Sequence, residues 1–388
     1  MGLPSVSAVA RLAWRHPRYL EDLLIKKLRL HARYRWLEDH PDQDGEVPMP
    51  LVFKVTLTYK CNLRCAMCYE WGDQGWCKQE SAAEMKKELS WEAMTKLLRH
   101  GQDRYASYLL IGGEPLLYTK FREVVTGLRD AKRFSIVCTN GLLLDRYLDL
   151  IEANPYVTYL ISLDGTQPTN DAIRGKGVYI KVLENIRRIK KLRRPPYVGI
   201  QFTVRPENVG EMYLFCLEMR DLGVDWVFFN PTWFINEKQG RDYEQFMSKH
   251  FSIMPKAHLG YLAPFNLDKG EYVRQFEKIR ARTWPFQVSS YLEKPEDIVP
   301  FVDRPAEPVR NSFCYKQWLR MDVMPDGAVT PCALYPDLTL GNLNTQEIEE
   351  AWNSPGYARF RKVRRENVLP VCSKCNALYL YDARRKTL

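Results

Sequence analysis

The feature that most constrains this chain is a run of apolar segments alternating with amphipathic ones from residue 51 to about residue 230. LVFKVTL, SYLLI, FSIVCT, VTYLISL, YVGIQFTV and VDWVFF are rich in β-branched and aromatic residues and apolar throughout rather than alternating. Strands of that kind are buried on both faces, as in a parallel sheet or barrel covered by helices. Helical patterns fill the gaps. SWEAMTKLLRHGQ is amphipathic with Ser90 as its N-cap, and KFREVVTGLRDAK is the next such segment. About six β-α units with right-handed crossovers leave two choices, a doubly wound sheet or a full or partial β/α barrel.

The rest of the 388 residues divides around this block. Residues 7–40 read as a basic, aromatic helical segment that Pro17 splits, because proline removes a backbone donor inside a helix. Such a stretch suits docking on the protein's own body, the favoured expectation, and is also compatible with peripheral membrane contact. HPDQDGEVPMP (40–50) reads as a linker. The β-α pattern breaks at about residue 231, and the following prolines and aromatics show no period, as in a substrate-enclosing insertion or a bridge. The expected division is therefore 1–50, an N-terminal helical segment and linker; 51–230, the β/α block; 231–309, the bridge or insertion; and 310–388, a small cysteine-bearing domain.

Bulk properties narrow the class. No apolar run approaches the ~18–20 residues needed to span a bilayer. Arg11 and Arg15 interrupt the N-terminal apolar stretch, so no secretory signal is expected and the chain reads as cytoplasmic. Ten cysteines without an export signal point to a reducing compartment, where thiols bind metal more often than they pair. The net charge of +10 is concentrated near residues 11–35, in RRIKKLRR (187–194) and beyond Arg359. Clusters like these can attract nucleic acid, anionic lipid or an acidic substrate, although a solvated helix face is the plainer reading. No RNA-binding module or aromatic stacking motif accompanies them, so nucleic acid is not the expected partner.

Cys61-Asn-Leu-Arg-Cys65-Ala-Met-Cys68 follows directly after the first strand, where barrel active sites sit. Three close thiolates can hold three irons of a [4Fe–4S] cube and leave the fourth iron open, because soft thiolates match cluster iron. A zinc knuckle is the alternative, yet zinc prefers four ligands in CxxC pairs. A second group, Cys314, Cys332, Cys372 and Cys375, has enough ligands for one closed cluster or a structural zinc. Cys77, Cys138 and Cys216 remain. Buried structural thiols are the default for Cys138 and Cys216, and Cys77 reads as ordinary. His31, His40, His100 and His258 fall in no motif.

The CxxxCxxC loop after strand one, followed by the aromatic Tyr69, resembles the signature of the radical S-adenosylmethionine (SAM) superfamily. Gly112-Gly113-Glu114-Pro115 after the second strand is similar to that family's GGEP motif. Thr139-Asn140-Gly141 and Ser162-Leu-Asp164-Gly165, the latter with Arg174-Gly175 downstream, resemble its later landmarks. The resemblance implies a partial (β/α)6 TIM-like barrel with a small C-terminal cluster-binding domain. It implies a SAM-binding [4Fe–4S] cluster on Cys61, Cys65 and Cys68. It also implies SAM contacts from Gly112, Gly113, Glu114, Pro115, Asn140, Ser162 and Arg174, with Glu114 accepting from the methionine ammonium. The C-terminal pattern, with Gly327, Gly341-Asn342-Leu343 and Trp352 between the cysteines, resembles the SPASM/twitch extension. That resemblance implies an auxiliary [4Fe–4S] cluster on Cys314, Cys332, Cys372 and Cys375.

An enzyme of this kind cleaves SAM to a 5′-deoxyadenosyl radical and abstracts hydrogen from a substrate C–H. A fully ligated auxiliary cluster is suited to electron transfer, so oxidation, epimerisation or cross-linking are the expected outcomes. The expected partners are an electron donor such as flavodoxin or ferredoxin and a small-molecule or peptide substrate. The short N-terminal segment tilts this reading toward a carbohydrate-like or other small substrate, or a peptide presented by a separate partner protein. No catalytic acid, base or hydrogen donor is identified. The alternatives are an RNA-modifying radical SAM enzyme and a non-catalytic metal-binding scaffold.

Overall fold

The computed structural model describes residues 14–104, 106–292, 294–310 and 312–380. The six apolar segments form β1 (Val52–Thr56), β2 (Ser107–Ile111), β3 (Ser135–Thr139), β4 (Val157–Ser162), β5 (Val198–Val204) and β6 (Trp226–Pro231). They are hydrogen-bonded in sequence order and all parallel. Amphipathic helices make the crossovers. α2 (Trp91–Arg104) joins β1 to β2, α3 (Phe121–Asp130) joins β2 to β3, and α4 (Leu148–Ala153) joins β3 to β4. α5 (Gln167–Arg174) and α6 (Val178–Lys190) together join β4 to β5, and α7 (Met212–Arg220) joins β5 to β6. The Ser90 hydroxyl accepts from Ala93 N at 3.1 Å, as an N-cap does.

The sheet is longer than the six strands read from sequence. β7 (Gln287–Ser290) adds in parallel beyond β6, and β8 (Arg320–Val323) adds in parallel beside β1. β9 (Ala328–Thr330) and β10 (Gly341–Asn342) continue antiparallel from β8. The order is β10-β9-β8-β1-β2-β3-β4-β5-β6-β7, an open sheet rather than a closed barrel. β7 escapes a pattern reading because QVSS is short and polar. RMDV of β8 does so because Asp322 breaks its apolar run. The segment between β6 and β7 holds α8 (Glu237–Phe251) and α9 (Lys269–Arg280), and α10 (Pro355–Glu366) lies before the last two cysteines.

The start of the 7–40 segment lies outside the described residues; from residue 17 it is α1 (Pro17–Asp39), with proline at its first turn. Its inner face docks on the body, under the strand starts. Tyr19 stacks on Tyr197 at 4.2 Å and packs beside Phe134, the residues preceding β5 and β3. Leu30 joins Leu51, Val52 and Leu319 at the starts of β1 and β8. Arg33 donates to the Met49 carbonyl at 2.7 Å and to the Trp318 carbonyl. The favoured docking is therefore present for this face.

Candidate active site

The strand ends opposite α1 surround a cavity of about 430 Å³, and all seven cysteines of the two groups line it. That volume lies in the range of small-molecule and cofactor sites. Cys61, Cys65 and Cys68 are each half-buried, in a loop fastened at both ends. Leu63 N donates to the Cys61 sulfur at 3.4 Å and Trp71 N to the Cys68 sulfur at 3.3 Å. Burial pushes the Cys61 thiol up to about 12 and the Cys68 thiol up to about 11. Cys65 is also raised by burial, and Arg174 opposes that shift.

The two glycines after β2 have a sharper reason than room for a ligand. A Cβ on Gly112 would collide with the Thr58 carbonyl, and one on Gly113 with the Tyr59 and Lys60 carbonyls. The glycines let β2 close against the chain leading into the cysteine loop, and Gly113 N and Glu114 N donate to Thr58 O and Lys60 O. Gly112, Gly113, Asn140, Ser162 and Arg174 line the cavity; Glu114 and Pro115 are not among its lining residues. Glu114 is fully buried and already bonded, accepting from Thr139 Oγ1 (2.7 Å), Asn140 N (2.8 Å) and Leu116 N (3.1 Å). Burial holds its carboxyl up at about 7 despite those bonds. Glu114 thus ties the end of β2 to the end of β3, whereas the sequence reading had it facing the methionine ammonium.

Asn140 reaches the cysteine loop itself, donating to Asn62 Oδ1 at 2.8 Å. Arg174, at the end of α5, pairs with Asp164 at 2.6 Å and lies 4.0 Å from the Cys65 sulfur. The SLDG and IRG motifs are therefore one unit joined by an ion pair. Asp164 also accepts from Thr203 N at 2.7 Å, which fixes the end of β5.

The second group is built differently. Cys314 and Cys375 are buried, and Cys332 and Cys372 are half-buried. Beside them Asp322 holds Arg320 through two bonds (2.7 and 3.0 Å), Lys316 at 3.3 Å and the amide of Ala333 at 2.9 Å. Burial opposes ionisation of the Cys332 thiol, but Lys316 and Lys54 outweigh it, and the net shift is downward. Cys372 is pushed up to about 12 by burial.

Sequence reading missed much of the wall. Lys54, Gln201, Asn230, Thr232, Trp233 and Tyr261 line the cavity. A lone lysine inside the apolar run LVFKVTL was the available signal for Lys54, since an unpaired cation is rarely placed in a covered strand. Cys138 also faces the cavity and is half-buried, which corrects its reading as a buried structural thiol. Burial alternates along β3, and Cys138 falls on its less buried side. Cys216 is fully buried in α7, and Cys77 is buried beside Trp76. Tyr69 stacks on Tyr261 at 4.9 Å, and Tyr261 packs on Tyr335 at 5.0 Å, an aromatic column running from the first cysteine loop to the second group.

Residues 55–216 match the radical SAM superfamily, and residues 314–376 match SPASM, an iron-sulfur cluster-binding domain. The chain is a radical SAM protein with a SPASM domain. Its cofactors are accordingly SAM, the [4Fe–4S] cluster that binds it and an auxiliary [4Fe–4S] cluster. It is 26% identical over 317 residues to the antilisterial bacteriocin subtilosin biosynthesis protein AlbA of Bacillus subtilis (strain 168), covering 80% of this chain and 61% of AlbA. It is 30% identical over 192 residues to the Fe-coproporphyrin III synthase of Methanosarcina barkeri (strain Fusaro / DSM 804), covering 48% of this chain and 44% of the synthase. The chain thus spans less than two thirds of the length of either relative. Streptococcus suis SuiB, solved bound to S-adenosylmethionine, shares the fold with a TM-score of 0.62 at 14% identity, over 88% of this chain and 75% of SuiB. SuiB has also been solved bound to the precursor peptide SuiA.

The donor set fits these groups. Among the described residues, no three His, Cys, Asp or Glu side chains converge closely enough to hold a single metal ion. Ligands of a cube each bind a different iron and stand further apart. Among the same residues, Arg364 Nη2 is buried without a hydrogen-bond partner, and Arg364 acts electrostatically on Cys372. A buried guanidinium nitrogen left open beside thiols suits an anionic, sulfur-rich cluster.

Proposed function

We propose that this chain is a peptide-modifying radical SAM enzyme in which Cys61, Cys65 and Cys68 hold the SAM-binding cluster and Cys314, Cys332, Cys372 and Cys375 hold the auxiliary one. The observation that carries the proposal is the single cavity lined by both cysteine groups. When bound, the cofactors would supply a 5′-deoxyadenosyl radical that takes hydrogen from a substrate C–H, together with an outlet for an electron when the substrate leaves oxidised or cross-linked; epimerisation would instead return a hydrogen atom to the substrate radical.

The chain's own residues do the rest. Gly112 and Gly113 seat the cysteine loop against β2. Asn140, Ser162 and Arg174 offer polar groups to SAM, and Glu114 positions Asn140 through its backbone amide. Leu63, Leu109 and Ile111 give the cavity apolar lining that excludes water, and Lys54, Gln201, Asn230 and Thr232 line it too and orient the polar groups of the substrate. A flavodoxin or ferredoxin would deliver the initiating electron.

The sequence alone leaves a carbohydrate-like or other small substrate and a peptide both open. AlbA is by name a bacteriocin biosynthesis protein, and SuiB binds a precursor peptide, which moves the reading to a peptide. A tetrapyrrole substrate is the second reading, favoured by the 30% identity to a protein named for making Fe-coproporphyrin III. Anaerobic reconstitution tests the centres, with about 8 iron atoms per chain expected for two cubes. Precursor peptides, aminoglycosides and iron tetrapyrroles are then compared for substrate-dependent 5′-deoxyadenosine. A chain holding about 4 iron atoms would remove the auxiliary cluster. Turnover with an iron tetrapyrrole or an aminoglycoside but no peptide would remove the substrate class.

A further inference from the structure

The outer face of α1 has the composition of a binding surface. Its inner face is fastened under the barrel, yet Trp14 is 82% exposed, Leu24 56% and Leu28 72%. Leu24 and Leu28 are one helical turn apart, and His31, Ala32 and Arg35 continue the same exposed stripe. Arg15, Arg18, Lys27 and Arg35 are exposed around them.

Two further basic segments, remote in sequence, are folded against this helix. Asp225 draws one of them in, pairing with His16 at 3.4 Å and with Lys190 at 2.6 Å. That ion cluster sets the end of α6, with exposed Arg187, Lys191, Arg193 and Arg194, beside the start of α1. The other is Lys132-Arg133, next to Phe134 under Tyr19. Arg133 acts on both Asp22 and Arg29 of α1. Three cationic stretches thus meet around uncovered leucines on the face opposite the cysteines. Gathering like charges costs stability, and the patch does not contribute to the cavity.

We propose that this face binds an anionic phospholipid bilayer, with Leu24, Leu28 and Trp14 entering the interface and the basic residues meeting the headgroup phosphates. Nucleic acid would use the cations and leave the leucines in water. Because α1 packs under the strand starts and the cavity lies at the strand ends, docking holds the enzyme at the membrane with the sheet between the bilayer and the cavity.

Cosedimentation of the full chain with vesicles tests this. Vesicles of phosphatidylglycerol and phosphatidylcholine in equal parts are expected to bind the protein, and pure phosphatidylcholine to bind it far less. Leu24→Glu/Leu28→Glu should lower partitioning at least about tenfold, as two charges replace interfacial leucines. Lys27→Glu/Arg35→Glu should lower it too, by about fivefold or more per residue, with a strong salt dependence. SAM cleavage in solution should be unchanged in both. Leu24→Ser/Leu28→Ser and the circular dichroism of each variant guard against misfolding. The proposal is overturned if the wild type ignores anionic vesicles, or if the leucine variants bind them as well as it does. It is equally overturned if polyuridylate binds more tightly than vesicles and only the charge variants lose it.

Discussion

Cys61, Cys65 and Cys68 occupy eight consecutive residues, whereas Cys314, Cys332, Cys372 and Cys375 are scattered between residues 314 and 375, yet both groups line one cavity. The first group is a local device. It needs the end of β1, two backbone amides aimed at sulfur and the glycines of β2 that let the loop close. The second is a tertiary device. It needs the β8–β9 hairpin, the turn before Cys372 and a buried ion cluster on Asp322 before its thiols face one another. A local loop can hold three ligands and leave one position open. A four-ligand site drawn from distant segments has none open, and its metal also acts as a fold constraint.

That contrast can be broken at several points. The largest effect is expected from Cys61→Ala/Cys65→Ala/Cys68→Ala, which should abolish 5′-deoxyadenosine formation while the protein stays folded. Unchanged SAM cleavage would refute the assignment of the open site. Cys372→Ala/Cys375→Ala should instead take iron from about 8 to about 4 atoms per chain and lower the melting temperature. It should keep substrate-independent SAM cleavage and lose the modified product. If it left stability untouched, the second site would not be a fold constraint.

Asp322→Asn should cost about 3–5 kcal/mol in anaerobic denaturant unfolding, because it leaves buried Lys316 and Arg320 without their carboxylate. A loss below about 1 kcal/mol would show that the cluster's neighbours do not depend on it. The equivalent cut at the first site, Asn140→Ala, removes two neutral bonds, one donated to Asn62 and one accepted from Leu142 N, and should cost only about 1–2 kcal/mol.

The smallest effect concerns α1, away from both sites. Burial alone would raise the Asp225 carboxyl, but His16 and Lys190 outweigh it and hold it below its ordinary value of 3.8. A carboxylate depressed on folding contributes stability above its unfolded pKa and loses it as pH falls through the folded one. Hydrogen-exchange protection across Tyr19–Leu30, taken relative to the intrinsic amide rate at each pH, should therefore be high at about pH 6 and lower below about pH 3, while protection of the cysteine loop changes little. Asp225→Asn should abolish that difference.

The same contrast explains what the sequence disclosed. β1 to β6 were readable because strands covered on both faces are apolar along most of a five- to seven-residue run. The first cysteine loop was readable because all its ligands fall within one turn of chain. β7 and β8 were not, being four residues each and partly polar. The bonds of Glu114 were not legible because a motif gives residue order and not direction: its carboxylate turns to Thr139 and Asn140. Lys54, Asn230 and Tyr261 belong to the wall only because strands and loops far apart in the chain converge there.

The ladder between β1 and β8 has a consequence for how such proteins can be taken apart. Val52 to Val55 pair in register with Arg320 to Val323, so the strand that delivers the first cysteine loop shares its hydrogen bonds with the strand that precedes Cys332. Cutting the chain between the two matched families would leave β1 as a bare, fully buried-type edge, the kind that pairs with stray strands and aggregates. Exchanging C-terminal regions between relatives would succeed only where this four-residue register is preserved. The two cysteine groups are thus not carried on modules joined by a tether; they are carried on one sheet.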